Sequence, residues 1–193
     1  MSFIYLTASG AVDEEILTAI GMWLGRTFDF PVRRLEALAD PAYAFDARRN
    51  QYGSTEILHE LLEKCPPDAE KLLAITEKDL FIPMLSFVYG QAQLQGKVAV
   101  VSLARLSQAF YGFPPNRALL LTRAIKEAVH EVGHTFGLVH CVDTSCPMSL
   151  STNIRQVDAK SEKFCPDCTI YLRESIRLAQ EQKQNQFFGG DFK

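Results

Sequence analysis

Three of the four histidines in this chain fall within the run His130-Glu131-Val132-Gly133-His134-Thr135-Phe136-Gly137-Leu138-Val139-His140. Residues four apart on a helix share a face, so His130 and His134 can aim imidazole nitrogens at one ion about 2.0–2.1 Å from each. Gly137 lets the chain reverse without a Cβ clash, and His140 can then return to the same ion as a third ligand. Three neutral imidazoles leave zinc a fourth position for water, which a hydrolytic site needs and a closed structural site lacks. Glu131, next to His130, is held near the ion without ligating it. Its carboxylate can take a proton from that water and hand it to a leaving amine. The five-residue pattern HExxH arises often by chance, but Gly137 and His140 on a credible helix make it specific.

The cysteines form a second constellation. Five of them would leave one unpaired in any disulfide framework, so metal binding is the first expectation. Cys165-Pro166-Asp167-Cys168 turns two thiolates toward one ion, and Cys141 with Cys146 can supply the opposite pair. Four thiolates close the coordination sphere, which makes this second zinc structural. Cys141 is bonded to His140, and Cys146 lies two residues before Met148. The thiolate cluster would therefore fix both the third histidine and the segment that passes beneath the catalytic ion. Cys65 reads as an ordinary buried thiol and His59 as a surface or partly buried residue, neither a ligand.

The elements that must hold these residues follow from apolar periodicity. Asn116, after Pro114 and Pro115, opens a long helix whose stripe runs through Leu120, Leu121, Ala124, Ile125, Ala128, Val129, Val132 and Phe136, and Gly137 ends it. Upstream, residues 3–8, 32–38 and 72–76 read as strands, and 87–94 with 98–103 as a hairpin joined by Gln95, Gly96 and Lys97. A helix capped by Asp13 should reach about Thr27, and one capped by Ser54 or Thr55 should reach about Lys64, before Pro66 and Pro67. Residues 40–53 read as a long loop, and Arg48, Arg49 and Gln51 within it as solvated. A final amphipathic helix covers 168–186, with a loose tail at 187–193. Strands separated by helices and then a hairpin imply an α/β fold with a mostly parallel sheet and one antiparallel edge strand.

Composition narrows the function classes. The chain has 193 residues, 47% hydrophobic and 22% charged, enough for a real core and too apolar for disorder. A formal net charge of −3, from 20 basic and 23 acidic residues with no long block of like charge, argues against a nucleic-acid binder. Apolar runs fall far short of the roughly 18–20 residues needed to span a bilayer, and the N-terminal residues carry no secretory pattern. A cytoplasmic protein without a membrane partner is expected.

The extended pattern resembles the archaemetzincins, a branch of the metzincin clan of zinc peptidases. The residues that carry the resemblance are the HExxHxxGxxH run, His140-Cys141, Cys146-Pro147-Met148 and Cys165-Pro166-Asp167-Cys168. It implies a twisted, mostly parallel five-stranded sheet with an antiparallel edge strand and an active-site helix. The division would be into 1–137 and a smaller, zinc-stabilised part, 138–193, with the terminal helix. It implies two zinc ions per chain, the catalytic one on His130, His134 and His140 with Glu131 as general base, the structural one on Cys141, Cys146, Cys165 and Cys168. Met148 becomes the methionine turn beneath the catalytic ion. The activity implied is that of a metallopeptidase, aminopeptidase or endopeptidase, and a monomer is expected. A peptide or protein substrate would lie extended along the sheet edge at 87–94, with 149–158 forming part of one wall. The alternative is an interaction protein stabilised by the four-cysteine zinc, its histidine site unloaded or blocked.

Overall fold

The computed structural model describes residues 2–188. The chain opens with β1 (Phe3–Ala8), then α1 (Glu14–Phe28), whose N-cap Asp13 accepts a hydrogen bond from the Glu15 amide. Glu14 and Glu15 in the first turn oppose the positive end of the helix dipole. β2 is continuous only over Val32–Arg34, shorter than its sequence pattern predicts, and pairing with the first strand resumes at a single parallel bridge between Leu38 and Ser9. The segment read as a loop contains a 3-10 turn (Ala42–Ala44) and two short strands, β3 (Phe45–Asp46) and β4 (Gln51–Gly53). They are too short for periodicity to reveal. α2 (Ser54–Glu63) follows, but with Gly53 at its N-cap and no side-chain cap. Ser54 Oγ instead donates to the Phe81 carbonyl.

β5 (Ala69–Thr76) is buried along its whole length, as befits a central parallel strand. β6 (Leu80–Phe81) completes a small sheet of order β3-β4-β6. β7 (Gly90–Ala92) and β8 (Val98–Ser102) are the hairpin. The predicted strand at 87–94 shrinks to three residues, because Val88 pairs with Leu80 of β6 in place of the main sheet. The main sheet has the order β2-β1-β5-β8-β7, parallel except for the antiparallel edge strand β7.

Alternation along the inner strands splits the core into two layers. Ile4, Leu6, Leu73, Ile75, Ala99 and Val101 face α1 and α3 (Arg117–Thr135), while Tyr5, Leu72, Ala74, Val98 and Val100 face Ile57, Leu58 and Leu61 of α2. The C-terminal part adds α4 (Ile154–Ala159), unpredicted because six residues offer too few apolar positions, and α5 (Pro166–Phe188). A local signal for α4 exists: Asn153 accepts from the Gln156 amide while Gln156 Oε1 accepts from Thr152, a close relative of the capping box. The last five residues of the predicted loose tail lie outside the described residues. Among the described residues no helix is long and apolar enough to cross a membrane.

Candidate metal centres

α3 presents His130, Glu131 and His134 near its C-terminal end, and a Schellman motif ends it. The Leu138 amide donates to the Gly133 carbonyl and the Gly137 amide to that of His134, with Gly137 at φ 94°. The hairpin turn docks on this end: the Gln95 amide also donates to the His134 carbonyl, and Lys71 Nζ donates to the carbonyls of Thr135 and Gly96. The reversal is thus held from outside the helix as well as by glycine.

His130 Nδ1 lies 2.8 Å from the Pro147 carbonyl oxygen and His134 Nδ1 lies 2.7 Å from that of Leu138. A carbonyl only accepts, so both Nδ1 atoms carry the proton and both Nε2 lone pairs are free. Those two Nε2 atoms face each other at 3.1 Å. Two lone pairs so placed repel unless a cation lies between them. His140 closes the triangle, its ring 5.4 Å from that of His130 and 5.0 Å from that of His134 between centroids. One ligand nitrogen from each of the three lies within 4.8 Å of the others. Burial holds all three imidazoles below their ordinary pKa, His130 most, so they are neutral donors.

The four cysteines predicted as a set, Cys141, Cys146, Cys165 and Cys168, also bring their sulfurs within 4.8 Å of one another, and Cys141 Sγ is 3.8 Å from Cys165 Sγ. Two nitrogens about 2.05 Å from a tetrahedral zinc lie about 3.3 Å apart, and two sulfurs at about 2.3 Å lie about 3.8 Å apart. Both donor sets therefore fit zinc in chemistry and in spacing. Cys65 packs with the layer around α2, and His59 is exposed on that helix.

The segment beneath the histidines is tied to the helix above it. Met148 is fully buried, and a Cβ added to Gly133 would lie 2.6 Å from its Sδ. Only glycine at 133 lets the thioether approach the α3 backbone so closely. The Cys141 amide donates to the Met148 carbonyl, so the strand leaving His140 and the turn at Met148 are bridged directly.

Glu131 is buried, and burial, followed by the nearby Glu127 carboxylate, pushes its carboxyl well above the usual range. Glu127 forms a fully buried ion pair with Lys160, 3.2 Å apart, which sequence periodicity had no means of detecting. Lys126 and Arg123 on the same helix bind the Asp158 carbonyl and carboxylate, so α3 clamps α4. Gly90 on β7 was likewise invisible in the sequence: a Cβ there would lie 2.6 Å from Glu131 Cγ.

The histidines open onto a cleft of about 590 Å³ whose walls are 85–92, 150–152 and α3, matching two of the expected wall segments. Leu85, Leu94, Val139 and Leu150 line it with large exposed apolar surfaces. Arg49 and Gln51 do not line this cavity. They brace its wall from behind, donating to the carbonyls of Leu85 and Ser86.

A model of peptidase family M54 matches residues 43–174. The curated archaemetzincin of Methanocaldococcus jannaschii is 41% identical over 165 residues, covering 86% of this chain and 89% of the relative. The crystal structure of archaemetzincin from Methanopyrus kandleri superposes with a TM-score of 0.80 at 34% identity, over 91% of this chain and 96% of that one. A zinc-dependent peptidase from Methanocorpusculum labreanum gives a TM-score of 0.79 at 30% identity, over 88% and 99%.

Proposed function

The chain belongs to peptidase family M54, the archaemetzincins, and on that premise we propose that it hydrolyses peptide bonds with a zinc ion held by His130, His134 and His140. Cys141, Cys146, Cys165 and Cys168 hold a second, structural zinc. The observation that carries the reading is the pair of unprotonated Nε2 atoms facing each other at 3.1 Å beside a buried carboxylate.

His130, His134 and His140 would hold the zinc, which when bound would supply Lewis acidity toward a water and the scissile carbonyl. Glu131 receives the proton of the attacking water at a carboxylate oxygen and delivers it to the leaving nitrogen. Its burial raises its proton affinity toward that task, and Gly90 leaves room for the carboxylate to lie against β7. Pro147 and Leu138 carbonyls orient the two helical imidazoles and keep their Nε2 lone pairs directed at the ion. The thiolate centre stiffens the part after Gly137, so that His140 and Met148 are held in place from one side.

The substrate lies extended beside β7, whose outer edge is unpaired in the main sheet, with side chains against Leu85, Leu94, Val139 and Leu150. Among the described residues the carboxylates lining the cleft are Glu127 and Glu131, both buried, so none of these is exposed to pair with a substrate's α-ammonium. This supports an endopeptidase over an aminopeptidase. The test is zinc stoichiometry with cleavage of a peptide library by wild type and Glu131→Gln. Two zinc ions per chain, internal cleavage, and a loss of about 100- to 10,000-fold in kcat in the variant are expected. Full activity in Glu131→Gln would remove the carboxylate from the mechanism.

A further inference from the structure

The cleft continues past the histidines. At Phe87, Tyr89 and Thr152 it meets a second cavity of about 440 Å³, lined also by Arg105, Tyr111 and Arg155. Arg155, exposed on α4, forms no ion pair with any described residue. Arg105 is fixed in place: Nε and Nη2 grip Asp79, and its guanidinium lies 4.2 Å from the Phe87 ring centroid and 4.7 Å from that of Phe110. That leaves Nη1 without an acceptor among the described residues. Among the described residues the carboxylates lining either cavity are the buried Glu127 and Glu131. At this end of the cleft Arg105, its charge balanced by Asp79, offers Nη1 as a fixed donor, and Arg155 adds a positive charge with no carboxylate partner among the described residues.

We propose that this second cavity is a carboxylate subsite, in which Arg155 and Arg105 bind an acidic side chain or the free C-terminal carboxylate of the peptide being cleaved. The inference rests on the peptidase reading for its substrate. Guanidinium suits the purpose because its planar fork binds a carboxylate with directed, charge-assisted hydrogen bonds. A lysine or arginine side chain at the same place meets like charge and is disfavoured.

The test separates binding from cleavage. Zinc-loaded Glu131→Gln protein is titrated with dye-labelled Leu-Ala peptides in which one Asp, or one Asn, is walked through each position, with the C-terminus free or amidated. At one position, or at the free C-terminus, the carboxylate peptide should bind about fivefold tighter than its neutral partner, an advantage that shrinks with salt. Adding Arg155→Glu should abolish or invert that ratio. Preference for Asp over Asn assigns the subsite to a side chain, and preference for free acid over amide assigns it to the terminus. Equal affinity of every charged and neutral pair, or a preference unaltered by Arg155→Glu, overturns the subsite. Tighter carboxylate binding without cleavage by the wild-type protein leaves the subsite standing and sinks the peptidase reading.

Discussion

Gly90 pairs with Val101 across the hairpin, and a methyl group added to it would lie 2.6 Å from Glu131 Cγ, 2.7 Å from Glu131 Oε1 and 2.7 Å from the Val100 carbonyl oxygen. Non-bonded contacts settle at about 3.5–4.0 Å, so Gly90→Ala requires relief of about 1 Å. Val100 is fixed in β8 between β5 and β7, which leaves the Glu131 side chain and the short edge strand to move. Overpacking of this kind costs about 1–3 kcal/mol, or about 2–12 °C in Tm for a chain of this size. The catalytic cost is larger, because a displacement of about 1 Å in a reacting group can lower the rate about 100-fold. The three atoms nearest the added methyl belong to Glu131 and Val100 and none to His130, His134 or His140, so zinc content should be unchanged. The assay is kcat and KM on a cleaved peptide, with zinc counted and thermal unfolding followed on the same preparation. A fall in kcat of about 100-fold with two zinc ions retained fits the reasoning. Wild-type kcat in a variant with lowered Tm would mean that β7 yields while Glu131 keeps its place, and that Gly90 has no part in positioning the base.

Lys160→Met strands the buried Glu127 carboxylate and should destabilise the protein by about 3–5 kcal/mol. Burial already raises the Glu127 pKa above 4.5, and Lys160 opposes that rise, so the variant holds its proton to still higher pH. Between the two folded-state pKa values the folded variant holds a proton that folded wild type has released, so its deficit relative to wild type grows there by up to about 1.4 kcal/mol per pH unit and is constant at lower pH. Denaturant titrations at a series of pH values check this, and a deficit independent of pH contradicts it. Cys165→Ser should lower bound zinc from two ions to one and speed hydrogen exchange over 140–168. Two ions retained, or unchanged exchange there, would refute the thiolate assignment.

Both donor sets were legible because their information is local. Four-residue spacing on a helix, a glycine at its end and a pair of cysteines two apart each specify a geometry within a few residues, and α3 with its Schellman turn follows that logic. The mostly parallel character of the sheet and its antiparallel edge strand were also accessible, since runs such as 72–76 are apolar throughout and strands separated by helices pair in parallel. What sequence patterns could not supply depends on register and long-range approach. Residue 90 must be glycine because strand pairing brings it against Glu131, forty-one residues further on. Glu127 meets Lys160 only because α4 is clamped across α3, and the loop at 40–53 becomes a small sheet only when Leu80 and Phe81 arrive beside it. Arg155 and Arg105 face one cavity for the same reason. The ligand types were written in short stretches of chain; the room around the base, the charge beneath it and the far end of the cleft were decided by which distant segments packed together.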